Sequence, residues 1–226
     1  RLIDTHSHLF LEEFSEDLPQ VIERARSAGV THIFMPNIDS TTIDSMLSVC
    51  NTYNDYCFPM IGLHPTSVNA DYEKELEIVA RELRSFNKYI AIGEVGMDLY
   101  WDKTFLKEQQ IVLDKQINWA LEYDLPVVIH CRDAFGYIYN VLEPYKNTSL
   151  KGVFHSFTGT DDEAARILEF SGFLIGINGV VTFKKSRLPE VLTKIPLEKI
   201  VLETDSPYLT PVPNRGKSCL LYTSDA

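Results

Sequence analysis

No stretch of this chain approaches the roughly 18 continuous apolar residues of a membrane span, so no membrane association is expected. Cysteine is sparse. Cys50, Cys57, Cys131 and Cys219 fall at irregular spacings with no CxxC pair, and no secretory leader precedes the first strand-like run of a sequence that begins at Arg1. A disulfide framework does not fit, and reduced thiols in a cytosolic protein are expected. Positive charge is also short: 21 Lys and Arg stand against 32 Asp and Glu, a formal net charge of −11. That balance argues against broad adhesion to duplex nucleic acid or an anionic membrane. A phosphate substrate would have to be captured locally, as a compact site with metal ions can do, because bound cations outweigh the surrounding field at short range. No GxGxxG follows the first strand-like run, which weakens an open dinucleotide-binding sheet.

What the chain does contain is a repeated pattern. Its 226 residues, 45% of them apolar, suffice for one substantial core. Short β-rich apolar runs are read as strands at 2–4, 32–35, 57–61, 89–93, 126–129, 152–154, 173–177 and 200–202. Amphipathic segments lie between them, with helical spacing at Leu18, Val21, Ile22 and Ala25 and again at Ile111, Leu113, Ile117, Ala120 and Leu121. Eight strands with intervening helices predict an α/β fold, a closed (β/α)8 TIM barrel in one domain over residues 1–217. After the eighth strand comes a loop, Ser206 to Lys217, and then residues 218–226 with no amphipathic pattern. The final helix is expected to be missing, and the C-terminal tail is atypical.

The chemistry lies in position. Six predicted strands each deliver a metal-capable residue at the C-terminal end, in the runs ending DTHSH (His6, His8), GLHP (His64), IGEVG (Glu94), VIHCR (His130), VFHSF (His155) and LETDSP (Glu203, Asp205). A barrel builds its active site at that end from several strands, so these side chains should converge. Alternation along a strand puts Asp4, His6 and His8 on one face and Glu203 and Asp205 on another. Four histidines and two carboxylates exceed the needs of one ion, since catalytic zinc sites keep about three protein ligands and an open position. Two divalent ions fit better. His6, His8 and Asp205 are assigned to the first, His130 and His155 to the second, and Glu94 bridges. Such ions, about 3.5 to 4 Å apart, clamp the attacking and leaving oxygens of an in-line displacement and lower the pKa of a shared water.

Each residue also has a plainer reading. A lone histidine ending a strand is more often a hydrogen-bonded structural residue, and His32, at a strand's beginning, is read that way. Glu94 could belong to a surface turn, although burial beside Ile90 and Ile92 would leave its charge needing a partner. Asp205 before Ser-Pro could simply cap a turn. Asp4 is expected to accept the free N–H of a ligand histidine, and Glu203 to orient Asp205 or a water. His64, without a partner at the right parity, is expected to contact substrate or position water. Among basic residues near the mouth, Arg132, Lys184, Lys185 and Arg215 are candidates for binding phosphate, with Lys217 nearby; solvated surface is the plainer role of each. Cys131 is read as packing. Tyr100, Trp101, Phe157 and Tyr208 offer stacking surfaces, with core packing the plainer fate of most.

Taken in order, DTHSH, GLHP, GEVGMD, VIHCRDA, FHSFTG and LETDSPYLTPVPNRGK resemble the TatD-related deoxyribonucleases of the metal-dependent hydrolase superfamily, over Leu2 to about Lys217. The resemblance implies a TIM barrel, a two-metal site and metal-dependent DNase activity that usually removes nucleotides from a 3′ end. It matches His6 and His8 to the family's first histidine pair and Glu94 to its bridging carboxylate. His130 and His155 match its second-metal histidines, Asp205 its late aspartate, and His64 a further active-site histidine. The sequence after NRGK departs from similar proteins, which continue into a final helix.

The expected enzyme is therefore a 3′-5′ exodeoxyribonuclease using two Mg2+, Mn2+ or Zn2+ ions, a monomer acting on single-stranded DNA ends, with Glu94, Asp205, His64 and Glu203 in the catalytic group. One alternative keeps the metals and hydrolyses a small-molecule amide, lactone or ester, as related amidohydrolase barrels do, many of them with a modified lysine on the fourth strand where this chain has Glu94. Another is a non-enzymatic binding protein, or a remnant that has lost activity through truncation.

Overall fold

A computed structural model describes residues 2–85 and 88–214. Its strands are β1 (Leu2–Asp4), β2 (Val30–Pro36), β3 (Cys57–Met60), β4 (Ile92–Asp98), β5 (Val127–Arg132), β6 (Lys151–Phe154), β7 (Gly172–Ile177) and β8 (Ile200–Leu202). Between them run α1 (Leu18–Ser27), α2 (Ile43–Thr52), α3 (Tyr72–Ser85), α4 (Leu106–Glu122), α5 (Phe135–Leu142), α6 (Asp161–Leu168) and the short α7 (Leu188–Leu192). All strand pairings are parallel and sequential, β1 to β3 in one ladder and β4 to β8 in another. Parallel bridges Ile61–Ile92 and Ser7–Ser206 join the two ladders at both seams, which completes the ring of a TIM barrel.

The seam between β8 and β1 matters for the site. The Asp205 N–H donates to the His6 carbonyl at 2.9 Å, and the His8 N–H to the Ser206 carbonyl at 2.8 Å. The two segments that carry His6, His8 and Asp205 are thus stitched together by their own backbones. Asp4 reinforces the stitch: its carboxylate accepts from the Thr204 N–H (3.0 Å), the Thr204 hydroxyl (2.7 Å) and the His6 N–H (3.3 Å).

Three strands depart from the sequence reading by two residues or more: β5 ends at Arg132 rather than at 129, and β2 and β4 differ as well. β2 begins at Val30 and ends at Pro36. β4 runs from Ile92 to Asp98 instead of 89–93, because its ladder with β5 continues from Val95–Ile129 to Asp98–Arg132 beyond an irregularity at Ile92/Val95. Glu94 and His130 therefore sit within strands, not just past their ends. On α4 the buried face holds Val112, Leu113, Ile117 and Ala120, whereas Ile111 turns outward.

That same helix buries two glutamines, and both satisfy backbone at the barrel mouth. Gln116 accepts from the Leu63 N–H at 2.7 Å, and Gln109 accepts from the Asp98 N–H at 2.9 Å and donates back to the Asp98 carbonyl at 3.1 Å. Buried backbone groups left unpaired would each be costly, so the glutamines fix where the chain leaves β3 and β4. Among the described residues no helix follows β8. Arg215, Lys217, Cys219 and the 218–226 tail lie outside the described residues, so the expected loss of the final helix falls there too. No helix among the described residues is long and apolar enough to cross a membrane.

Candidate metal centre

Glu94 lies at the centre of the barrel mouth, 3% exposed, and its two oxygens face different partners. Oε2 is 3.1 Å from His6 Nε2 and 3.6 Å from His8 Nε2. Oε1 is 2.9 Å from His130 Nδ1, 3.4 Å from His64 Nε2 and 3.7 Å from His155 Nε2. Asp205 approaches from the other side, its Oδ1 3.4 Å from His8 Nε2 and 3.7 Å from both His6 Nε2 and His155 Nε2. The structure thus brings together all six residues assigned as ligands, and adds His64 to them.

Three groups present ligand atoms close enough to share an ion: His6, His8 and Asp205; His64, Glu94 and His130; and His6, His155 and Glu203. The first coincides with the set assigned from the sequence. In the second, His64 takes the place expected of His155. Parity counted along β3 misplaces His64, because the chain has already left the strand there and the His64 N–H donates to the Ile38 carbonyl at 2.7 Å.

The donor set suits divalent cations. His6 Nε2 and His8 Nε2 face each other at 3.3 Å, and the Nδ1 atoms of both rings are buried without a hydrogen-bond partner among the described residues. Several imidazoles and carboxylates around one point favour Zn or Mn, while the carboxylate oxygens also accept Mg.

Burial is the largest single influence on His6, His64, Glu94, His130 and His155; it prevails at the first two, and neighbouring charges outweigh it at the other three. Desolvation lowers the basicity of His6 and of His64, and nearby Glu94 offsets this in part. Burial opposes ionisation of Glu94, but His6, His64, His155 and the hydrogen bond from His130 hold it well below the usual carboxylate range. Burial also works against protonation of His130 and His155. Hydrogen bonds to Asp98 and Glu94 nevertheless raise His130 to about 9, and Glu203, Glu94 and Asp205 raise His155 to about 10.

The supporting carboxylates are placed differently from expectation. Glu203 Oε1 accepts from the Ser156 N–H and lies 3.0 Å from His155 Nδ1, off the ring's N–H direction. Room for it exists because residue 176 is glycine: a Cβ there would stand 2.5 Å from Glu203 Oε2. Asp4 holds backbone at the β8–β1 seam instead of a ligand imidazole, and burial raises its pKa to about 7. Asp98, not singled out in the sequence reading, lies 2.9 Å from His130 Nε2. The signal was the alternation Glu94, Gly96, Asp98, visible once the strand is extended past Gly93.

Asp205 combines both of its readings. Its backbone is in the left-handed region (φ 59°) and its carbonyl accepts from the Tyr208 N–H at 2.8 Å, while its side chain turns to the histidines. His32 lies outside the centre, against Thr31 and stacked on Phe58.

A cavity of about 660 Å³ opens above the centre, and Arg132, Trp101, Cys131 and Tyr208 help to line it. Lys184 and Lys185 are exposed and do not line it. Phe157 packs in the core, whereas Tyr100, Trp101 and Tyr208 are exposed. Cys131 packs partly against the core, and burial raises its thiol to about 12.

A parallel barrel whose strand ends gather histidines and carboxylates under an open cavity defines the protein as a metal-dependent hydrolase. The model of the family described as TatD related DNase matches residues 3–223, and the chain belongs to that family. A Bacillus subtilis (strain 168) protein named uncharacterized metal-dependent hydrolase YabD is 37% identical over 217 residues, covering 96% of this chain and 84% of that protein. A Pantoea ananatis protein named 3′-5′ ssDNA/RNA exonuclease TatD is 32% identical over 212 residues, covering 93% and 81%. The crystal structure of the TatD homologue YjjV from Escherichia coli K12 matches with a TM-score of 0.91 at 31% identity, covering 99% of this chain and 86% of that one. A Saccharomyces cerevisiae amidohydrolase, 19% identical with a TM-score of 0.79, shares the fold.

Proposed function

We propose that this chain is a 3′-5′ exonuclease acting on single-stranded DNA ends with two divalent cations, Mg2+, Mn2+ or Zn2+. The observation that carries the reading is Glu94, whose Oε2 faces His6 and His8 while its Oε1 faces His64, His130 and His155. A carboxylate divided in this way is the disposition of a bridging ligand. His6, His8 and Asp205 would hold one cation, and His130, with His64 or His155, the other. When bound, such cations supply an activated water and charge neutralisation at a phosphodiester.

The chain's own residues do the rest. Asp205, 16% exposed at its side chain, presents Oδ1 at the cavity floor, where it can accept a proton from an attacking water. Asp98 holds the ring of His130 from behind, and Glu203 places a negative charge beside the ring of His155. Arg132 at the rim offers a positive group to a phosphate in a chain that is otherwise acidic. The name of the Pantoea ananatis relative supports the polarity and the single-stranded substrate. Hydrolysis of a small amide, lactone or ester has less support, because β4 carries Glu94 and no lysine.

The test is release of mononucleotides from end-labelled single-stranded DNA with Mg2+ or Mn2+, comparing wild type with Glu94→Ala and Asp205→Asn. The expected result is 3′-end trimming that EDTA and both substitutions abolish. Equal activity in all three proteins would reject the assignment of the centre.

A further inference from the structure

The rim of the cavity carries a second arrangement, separate from the ligand cluster. Arg132 is the one lysine or arginine among the described residues that line the cavity. In a chain of net charge −11 it forms no ion pair among the described residues. Its guanidinium instead lies over the Tyr100 ring, 3.8 Å from the centroid, and 5.6 Å from the Trp101 centroid. Tyr100 and Trp101 meet edge to face at 4.6 Å. Trp101 lines the cavity yet is 77% exposed, and beside it lies a smaller void of about 130 Å³ lined by Pro65, Asp98 and Phe105 among others.

The three side chains divide a task. A guanidinium seated on an aromatic face keeps its N–H donors pointing outward and loses little freedom when it meets a phosphate. A bare indole at a cavity mouth is a surface on which any nucleobase can stack, and only an unpaired base can present its face. We infer that Trp101 is the stacking platform for the unpaired base beside the scissile phosphate. Arg132 holds the adjoining phosphodiester, and Tyr100 is a positioning residue that keeps the guanidinium at the rim. This rests on the nuclease reading above and names what that reading leaves open: a single-stranded end with an intact base next to the cleaved bond. A substrate without a nucleobase would gain nothing from Trp101.

The experiment compares two end-labelled single strands, one normal and one with an abasic residue flanking the scissile bond, and follows kcat/KM with salt. Wild type should prefer the normal strand by about ten- to a hundredfold, the range that base stacking supplies. Trp101→Ala should bring that ratio close to one. Arg132→Ala should keep the ratio but reduce the slope of log kcat/KM against log salt by about 0.7, the loss of one phosphate contact on a single strand. Tyr100→Ala should flatten the slope in the same way, and Tyr100→Phe should restore it. Tyr137→Ala, an exposed aromatic outside the cavity lining, should change neither quantity. A Trp101→Ala enzyme that still discriminates, or a Tyr100→Ala enzyme with an unchanged slope, would overturn the inference. Wild type that cleaves both strands equally would overturn it while leaving the nuclease reading standing. Failure to cleave either strand would remove both.

Discussion

Asp98 Oδ2 sits 2.9 Å from His130 Nε2, on the edge of the ring opposite the one that Glu94 contacts. The pair fixes both the plane of the imidazole and which nitrogen faces the centre. Carboxylates in that position orient ligand histidines and raise their basicity. Asp98→Asn keeps the shape and the amide-to-side-chain contact from the Tyr100 N–H, but removes the charge. We expect Mn2+ or Zn2+ affinity to fall by about ten- to a hundredfold, with the melting temperature of the metal-free protein changing by no more than about 4 °C. Calorimetric titration beside a thermal melt checks this. Unchanged affinity would mean that His130 is positioned by Glu94 alone.

Gly96 is opposite His130 in the β4–β5 ladder, with φ at 137°, and a Cβ there would lie 2.0 Å from the His130 carbonyl oxygen. No side chain can be accommodated without parting the two strands that carry Glu94 and His130. Overpacking of this kind costs about 1–3 kcal/mol and the backbone conformation about as much again for an L-residue. Gly96→Ala should therefore lower the melting temperature by roughly 4–24 °C, at about 2–4 °C per kcal/mol for a chain of this size, and weaken metal binding with it. A variant that melts with wild type would show that the strands yield freely at this point.

The sequence disclosed the barrel because short apolar runs recur, several of them β-branched such as Val127-Val-Ile129 or Ile200-Val-Leu202, and six of them deliver a metal-capable residue near the C-terminal end. Glu94 and Asp205 were legible for that reason. Asp98 was not, because two glycines in Gly93-Glu-Val-Gly96 read as a turn, whereas an irregular ladder carries β4 through them. Gln109 and Gln116 were hidden too: polar residues on a helix read as surface, and their backbone partners, Asp98 at the last position of β4 and Leu63 in the loop after β3, are far away in the chain and no periodicity links them to the helix. His64 lies beside Glu94 and His130 although strand parity gave it no partner, because parity stops where the strand stops. The contact of Glu203 with His155 depends on the absence of a side chain at Gly176, a relationship across two strands that a linear reading cannot see.

Metal loading should stabilise the fold. Ligands come from β4, β5 and the segments after β1, β3, β6 and β8, so a cation held by the native centre has no equivalent site in the unfolded chain. At a hundred times its dissociation constant, a cation adds about 2.7 kcal/mol, or roughly 5–11 °C in melting temperature. Excess Mn2+ or Zn2+ should raise the melting point by that amount, EDTA should reverse it, and Glu94→Gln should abolish most of the shift. A full shift in Glu94→Gln would place the binding elsewhere on the protein.

Binding should also release protons, and the direction follows from the rings. Burial disfavours charge on His130 and His155, yet Asp98 and Glu94 hold the first up to about 9, while Glu203, Glu94 and Asp205 hold the second up to about 10. A cation requires both rings neutral, so at pH 7 each ring that becomes a ligand gives up a proton. Affinity should climb about tenfold per pH unit for each proton released and level off above roughly pH 10. The metal-free fold should behave in the opposite sense. Both pKa values are raised above the unfolded value of about 6.5, so the stability they contribute is fully present below that pH and is lost as pH rises through 9 to 10. Titrations in two buffers of different ionisation enthalpy count the protons directly, and melts of the EDTA-treated protein from pH 6 to 10 follow the fold. Binding without proton release, or a metal-free melting point that rises with pH, would show that the two imidazoles are already neutral before any cation arrives.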